Sequence, residues 1–61
     1  MQDLAAKREK FLQEAADCEL IGSLAQDAKK RETFRHLAKQ LRQLADDLAA
    51  EIVARERKDA A

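Results

Sequence analysis

The chain has 61 residues, a formal net charge of zero, one Gly and no Pro, and 39% of its residues are charged. A chain this short buries only about 60% of the surface that it exposes when unfolded, so its own core is marginal. Disulfides, a metal or oligomerisation usually stabilise such chains. With one cysteine and one histidine, an intrachain disulfide is excluded and a four-ligand zinc site would need carboxylates or a second chain. We therefore expect a single domain that oligomerises, without metal or cofactor.

Composition also indicates the structural class and the location. Ala, Leu, Lys, Arg, Glu, Asp and Gln dominate the sequence, which predicts an all-α protein. No run approaches the roughly 20 apolar residues of a membrane span, and the first residues lack the uninterrupted apolar core of a signal peptide. We expect a cytoplasmic protein that does not bind membranes. The lone thiol of Cys18 agrees with a reducing compartment.

The first predicted helix runs from about residue 3 to about residue 25. One face carries apolar and small residues at helical spacing: Leu4, Phe11, Ala15, Cys18, Ile21, Gly22 and Ala25. The small members of this face would let a second helix approach closely. A second row at intervals of four, here called the outer ridge, consists of Leu12, Ala16, Leu20 and Leu24. It lies well round the helix, has no expected partner within the chain, and suits ridge-into-groove packing against another helix.

A turn is predicted at about residues 26–27. Asp27 is a favoured N-cap residue and can pair with Arg31 one helical turn later. The apolar stripe changes phase near residue 28, whereas a continuous coiled-coil helix would keep one heptad phase. The predicted register places Cys18 opposite Phe34. A continuous helix and a domain-swapped dimer remain the alternatives.

The second predicted helix, from about residue 28 to about residue 57, has the clearer apolar face. Its apolar residues recur at spacings of three and four: Phe34, Leu37, Leu41, Leu44 and Leu48, flanked by Ala38, Ala45 and Ile52. They fall within an arc of about 120°. Residues 1–27 carry three basic and six acidic groups, and residues 28–61 carry nine and six. Opposite charges on antiparallel neighbours favour their docking, although each screened surface pair contributes little.

The predicted fold of residues 1–61 is therefore an antiparallel helical hairpin. We expect it to assemble as a homodimeric four-helix bundle, although a tetramer or a different helical protein as partner remains open. The expected interface combines the outer ridge with four leucines of the second helix: Leu12, Ala16, Leu20, Leu24, Leu37, Leu41, Leu44 and Leu48.

A longer pattern extends across both predicted helices. Its members are Phe11, Ala15, Cys18, Ile21, Ala25, Asp27, Arg31, Phe34, Leu37, Ala38, Leu41, Leu44 and Ala45. This pattern resembles that of a group of short, uncharacterised alphaproteobacterial two-helix proteins, A-x2-C-x2-L-A…D-P-x2-R…L-A-x2-W-x2-L-A. The chain departs from the family pattern at Gly22, Ala28 and Leu41, where the family has Ala, Pro and Trp. The resemblance implies a two-helix element without an assigned activity and supplies no catalytic residues.

No catalytic, cofactor or metal site is predicted, and we expect neither an enzyme nor a small-molecule ligand. His36 falls nearly opposite the apolar stripe, and no serine or cysteine is placed to act as a nucleophile with His36 as its general base. Cys18 lies on the inner face and is expected to be a buried small hydrophobe of low reactivity. An interchain disulfide or redox switch at Cys18, and metal ligation by its thiol, are the lesser alternatives.

Four cations form a basic stripe beside the core face of the second helix: Arg31, Arg35, Lys39 and Arg42. Several phosphate contacts would give salt-dependent nucleic-acid binding, so a small RNA- or DNA-binding dimer is the alternative function. Against it, both phenylalanines are assigned to the core, which leaves no aromatic residue for base stacking. Glu14 and Asp17 on the first helix could face the stripe across the hairpin. The favoured hypothesis is a noncatalytic interaction or structural module.

Overall fold

The structure, a computed structural model, describes residues 3–60, and the side chains of residues 3–58. Helix α1 spans Leu4–Leu24 and helix α2 spans Ala28–Ala60. The two helices pack against each other as a hairpin that measures 52 × 15 × 13 Å. The predicted all-α hairpin is thus confirmed, and a continuous helix through residue 27 is excluded. Neither helix of the described part of the chain is sufficiently long and apolar to span a membrane.

Both helices begin at an aspartate whose side chain accepts a backbone hydrogen bond. The backbone N–H of Ala6 donates to Asp3 Oδ1 at 3.1 Å, and the backbone N–H of Lys29 donates to Asp27 Oδ1 at 2.8 Å. These bonds satisfy N–H groups that the first turn of a helix leaves without a partner. The N-cap predicted at Asp27 is confirmed. Ala28 therefore begins α2 without the proline of the family pattern.

The turn is held by the side chain of Arg31. Its guanidinium Nη1 donates to the carbonyl oxygens of Ala25 at 3.0 Å and Gln26 at 3.2 Å. The expected ion pair between Arg31 and Asp27 is wrong, because the Asp27 carboxylate caps α2 while the guanidinium binds the carbonyls at the end of α1. No described residue has a positive φ. The chain therefore reverses direction through side-chain hydrogen bonds, without a left-handed residue.

Small residues form the contact between the helices. Ala15, Ala38 and Ala45 are at most 2% exposed, and Gly22 is buried. The two buried residues of α1 are seven positions apart, as are Ala38 and Ala45 in α2. Seven residues are close to two full turns, so each pair lies on one line along its helix. The predicted close approach at Ala15 and Gly22 is confirmed.

The register differs from the prediction by about one helical turn. A Cβ atom built on Gly22 would lie 3.2 Å from Phe34 Cβ and 3.7 Å from the carbonyl oxygen of Arg31. Gly22 therefore occupies the position opposite Phe34 that was predicted for Cys18. The glycine has no side chain, so it leaves room for the phenylalanine where the helices are closest. Cys18 is half-buried beside this contact, less covered than expected.

Candidate interaction surfaces

The hairpin leaves its large apolar side chains only partly covered. Among the described residues, the side chains that are nearly fully buried are all alanines. Six large apolar residues are exposed: Leu20 (60%), Ile21 (48%), Leu24 (74%), Leu37 (40%), Leu44 (46%) and Val53 (45%). Ile21 was expected on the inner face but lies at its edge. These exposed residues define the candidate interaction surfaces of the hairpin.

An ion pair between the helices shows which flank of α1 lies on the same side of the hairpin as which flank of α2. The carboxylate of Glu19 on α1 contacts the guanidinium of Arg42 on α2. Glu19 lies about 40° round α1 from Ala15, and Arg42 lies about 40° round α2 from Ala38 in the same rotational sense. The contact therefore brings these two flanks to the same side of the hairpin. The opposite flanks of the two helices form the other side.

The eight residues predicted as one interface lie on two different sides. The outer ridge follows the Glu19 flank of α1, while the four leucines of α2 lie on the flank away from Arg42. We call the side of the hairpin that carries the four leucines of α2 the leucine face. It consists of Phe11, Cys18 and Ile21 from α1 and Leu37, Leu41, Leu44 and Leu48 from α2. Helical spacing alone does not give the relative rotation of two helices, so the sequence could not separate these surfaces. One two-fold contact cannot cover both sides of a hairpin.

The leucine face is wide, and its central part on α2 is poor in charge. Leu41 and Leu48 are half-buried, whereas Leu37 and Leu44 are exposed. Between Lys30 and Asp47, the residues of α2 on this side are all uncharged: Thr33, Phe34, Leu37, Gln40, Leu41 and Leu44. Contiguous exposed apolar surface of this kind marks interaction sites on proteins.

The outer ridge has a different environment. Leu12 is half-buried, Ala16 is exposed, and Leu20 and Leu24 are the two most exposed of the large apolar side chains. The Glu19–Arg42 ion pair and the basic stripe lie on the same side of the hairpin. The ridge is therefore a narrow apolar row on one helix beside a charged row on the other.

Most of the basic stripe is engaged within the chain. Arg31 binds two backbone carbonyls, Arg42 contacts Glu19, and Arg35 lies 3.8 Å from a carboxylate oxygen of Glu32. Lys39 makes no ion pair with a described residue. The expectation that Glu14 and Asp17 face the stripe is wrong, because both lie on the other flank of α1. The acidic partner on α1 is Glu19, which only the relative rotation of the helices could identify.

The polar side chains do not assemble a catalytic group. His36 Nε2 lies 3.2 Å from Glu32 on the same helix, and the His36 side chain is 68% exposed. Two depressions lie near the turn, one of about 200 Å³ against Cys18, Glu19 and Arg35, and an open one of about 460 Å³ against Asp27 and Phe34. Neither brings a histidine to Cys18 or to Ser23. Among the described residues, no three His, Cys, Asp or Glu side chains are grouped as metal ligands.

Comparisons with protein-family models, with curated proteins and with solved structures find no match to this chain. The resemblance to the alphaproteobacterial two-helix proteins therefore stays a prediction.

Proposed function

We propose that the protein is a noncatalytic helical interaction module that works as a homodimer, in which two hairpins form a four-helix bundle. The observation that supports this proposal is the incomplete core. Only small side chains are nearly fully buried between α1 and α2, and Ile21, Leu37 and Leu44 of the leucine face are exposed. A chain of this size usually needs a further source of stability, and covering an apolar face supplies it through the hydrophobic effect.

The leucine face is the better of the two surfaces for this contact. Both helices contribute to it, and its central part on α2 carries no charge between Lys30 and Asp47. The cores of homodimer interfaces are depleted of charged residues. The outer ridge is narrower and lies beside the Glu19–Arg42 ion pair. We therefore assign the dimer contact to the leucine face and place the outer ridge outside it.

Light scattering of the purified chain at micromolar concentration tests the proposal. We expect twice the chain mass of 6.9 kDa. The double variant Leu37→Glu/Leu44→Glu should lose the dimer, because it places four carboxylates of two copies in the apolar contact. Leu20→Glu/Leu24→Glu is the matched control and should keep the dimer mass.

The urea midpoint gives a second measurement in case the leucine-face variant does not fold. Dimerisation stabilises by mass action, so the wild-type midpoint should rise with protein concentration. A wild-type chain that is folded and monomeric at micromolar concentration would contradict the proposal. A dimer that survives the leucine-face substitutions but not the ridge substitutions would move the contact to the outer ridge.

Two further expectations belong to the proposal. We place the protein in the cytoplasm, where a lone thiol such as Cys18 stays reduced. Nucleic-acid binding through the basic stripe is not adopted as a second function, because Arg31, Arg35 and Arg42 each contact an acceptor within the chain.

A further inference from the structure

We propose that the two copies pack with their turns at the same end, so that α1 of each copy lies on α2 of the other across the leucine face. This inference rests on the proposed homodimer. A two-fold contact between the leucine faces allows two orientations. With the axis parallel to the helices the turns share one end, and α1 covers α2 of the second copy. With the axis across the helices the turns lie at opposite ends, and each helix covers its own counterpart.

Five charged residues lie on the leucine side towards the end of the hairpin away from the turn. Lys7 and Lys10 belong to α1, and Asp47, Glu51 and Arg55 belong to α2; all five are exposed. The lysines make no ion pair with a described residue. Asp47 accepts a hydrogen bond from Gln43 at 3.1 Å, and Glu51 accepts one from Arg55 at 3.1 Å. Glu51 is thus ion-paired with Arg55 on its own helix, whereas the two lysines of α1 and Asp47 of α2 have no ion-pair partner among the described residues.

The positions along the hairpin follow from the contact between Gly22 and Phe34. Gly22 lies level with Phe34, and two antiparallel helices advance in opposite directions with the same rise per residue. Lys10, which is 12 residues before Gly22, therefore lies about level with residue 46, which is 12 residues after Phe34. That level is next to Asp47. By the same count Lys7 lies within one turn of Glu51. The cations and the anions therefore occur in matching order at matching levels.

In the same-end orientation, residues that lie at the same level of the hairpin in the two copies face each other. Unlike charges are therefore brought together. Lys7 and Lys10 of each copy lie against Glu51 and Asp47 of the second copy, and the two-fold axis repeats the contact. The exposed Ile21 lies level with the exposed Leu37 of the second copy. Glu14 and Asp17, which also lie on this side of α1, fall level with Leu44 and Gln40 and meet neither an acidic nor a basic residue of the second copy.

The opposite-end orientation has a poorer charge match. The leucines of α2 are centred level with Glu14, so the Glu14 carboxylates of the two copies would meet near the axis. Lys10 would reach Asp17 of the second copy, but Asp47 and Glu51 would lie level with uncharged or basic residues of the other α2. Complementary charges fix orientation by excluding arrangements with like charges in contact. The charge pattern therefore favours the same-end dimer.

Mixing two charge-reversed variants tests this arrangement. Lys7→Glu/Lys10→Glu and Asp47→Lys/Glu51→Lys each create like-charge contacts at both halves of a same-end homodimer. We expect each variant alone to dimerise at least about tenfold more weakly than the wild type, because four close charge pairs become repulsive. An equimolar mixture should recover a dimer of wild-type affinity, since both halves of the heterodimer are again complementary. If the substitutions weakened dimerisation through repulsion within one hairpin, mixing the two variants would not restore the affinity.

The opposite-end dimer gives a different result in the same experiment. Asp47→Lys/Glu51→Lys would then dimerise as tightly as the wild type, and mixing would restore nothing. Either observation would overturn the same-end orientation while leaving the homodimer intact.

A distance measurement on the otherwise native surface gives an independent readout. Spin labels at Gln26→Cys, in a Cys18→Ala background whose dimer mass is first checked by light scattering, report the separation of the two turns. Neighbouring helices lie 8–10 Å apart, so we expect about 15 to 25 Å between labels in the same-end dimer. Turns at opposite ends would give about 40 Å, from the rise of 1.5 Å per residue. The longer distance would overturn the inference, whereas a monomer would overturn the proposed function instead.

Discussion

At the scale of single residues, Arg31 connects the end of one helix to the start of the other. Its guanidinium donates to the carbonyl oxygens of Ala25 and Gln26. Carbonyl groups at the C-terminal end of a helix lack helical partners, and a cation there also interacts favourably with the helix dipole. The turn contains neither proline nor glycine. Arg31 and the Asp27 cap therefore replace the usual turn residues.

Replacing Arg31 by alanine should lower the free energy of unfolding by about 1 kcal/mol, the usual contribution of a hydrogen bond of this kind. Amide hydrogen exchange at Ala25, whose N–H donates to Gly22 and Ile21, should become faster because the end of α1 loses its restraint. Urea denaturation at one fixed protein concentration measures the first effect, because the stability of a dimer depends on concentration.

Arg35→Ala is the matched control for that substitution. The Arg35 side chain is 78% exposed and lies 3.8 Å from Glu32 on its own helix, so its removal should cost less than about 0.5 kcal/mol. Equal losses for the two variants would show that the carbonyl contacts of Arg31 do not stabilise the turn.

At the scale of elements, the distance between α1 and α2 depends on residues that have almost no side chain. Ala45 is 0% exposed and Ala38 is 1% exposed, while Gly22 lies against Phe34. Interiors packed this closely cannot accept added volume without a shift of side chains or backbone. The small residues are thus a structural requirement of the hairpin and not merely good helix formers.

Ala45→Leu should therefore destabilise the protein by about 1 to 3 kcal/mol, the usual cost of overpacking. Ala50→Leu, at an exposed position of the same helix, adds the same atoms and should change stability by less than about 0.5 kcal/mol. Thermal unfolding of both variants at equal concentration measures the difference. If Ala45→Leu were as stable as the wild type or more stable, the helices could move apart to admit the larger side chain without a loss of stability.

Much of each element could be predicted from the sequence, because helical periodicity is a local property. The apolar face of α2, the small-residue face of α1 and the cap at Asp27 all follow from residue spacing and type. The register was wrong by about one turn, since both Cys18 and Gly22 lie on the small-residue face and spacing does not choose between them. The choice depends on the space that Phe34 requires, which is a contact between elements.

At the scale of the whole molecule, the opposite net charges of the two halves of the chain face each other within the hairpin. The acidic α1 and the basic α2 meet at the Glu19–Arg42 ion pair. The formal net charge of the chain is zero. The long-range attraction that brings basic proteins to nucleic acid is consequently small.

We therefore predict no retardation of short duplex DNA or of single-stranded RNA in native gels at about 50 mM salt, where a protein with several phosphate contacts still binds well. The double variant Arg35→Ala/Arg42→Ala provides the comparison. Retardation by the wild type that disappears in this variant would contradict the prediction and support the basic stripe as a nucleic-acid site.

The all-α class, the two helices and the turn near Asp27 could be predicted from the sequence alone. These follow from composition, length and periodicity, which are properties of each segment alone. The register, the pairing of Arg42 with Glu19, and the division of the predicted interface between the leucine face and the outer ridge depend on how the two helices pack. Periodicity gives the face of each helix but not the rotation of one helix relative to the other. That rotation is set by contacts between residues far apart in the chain.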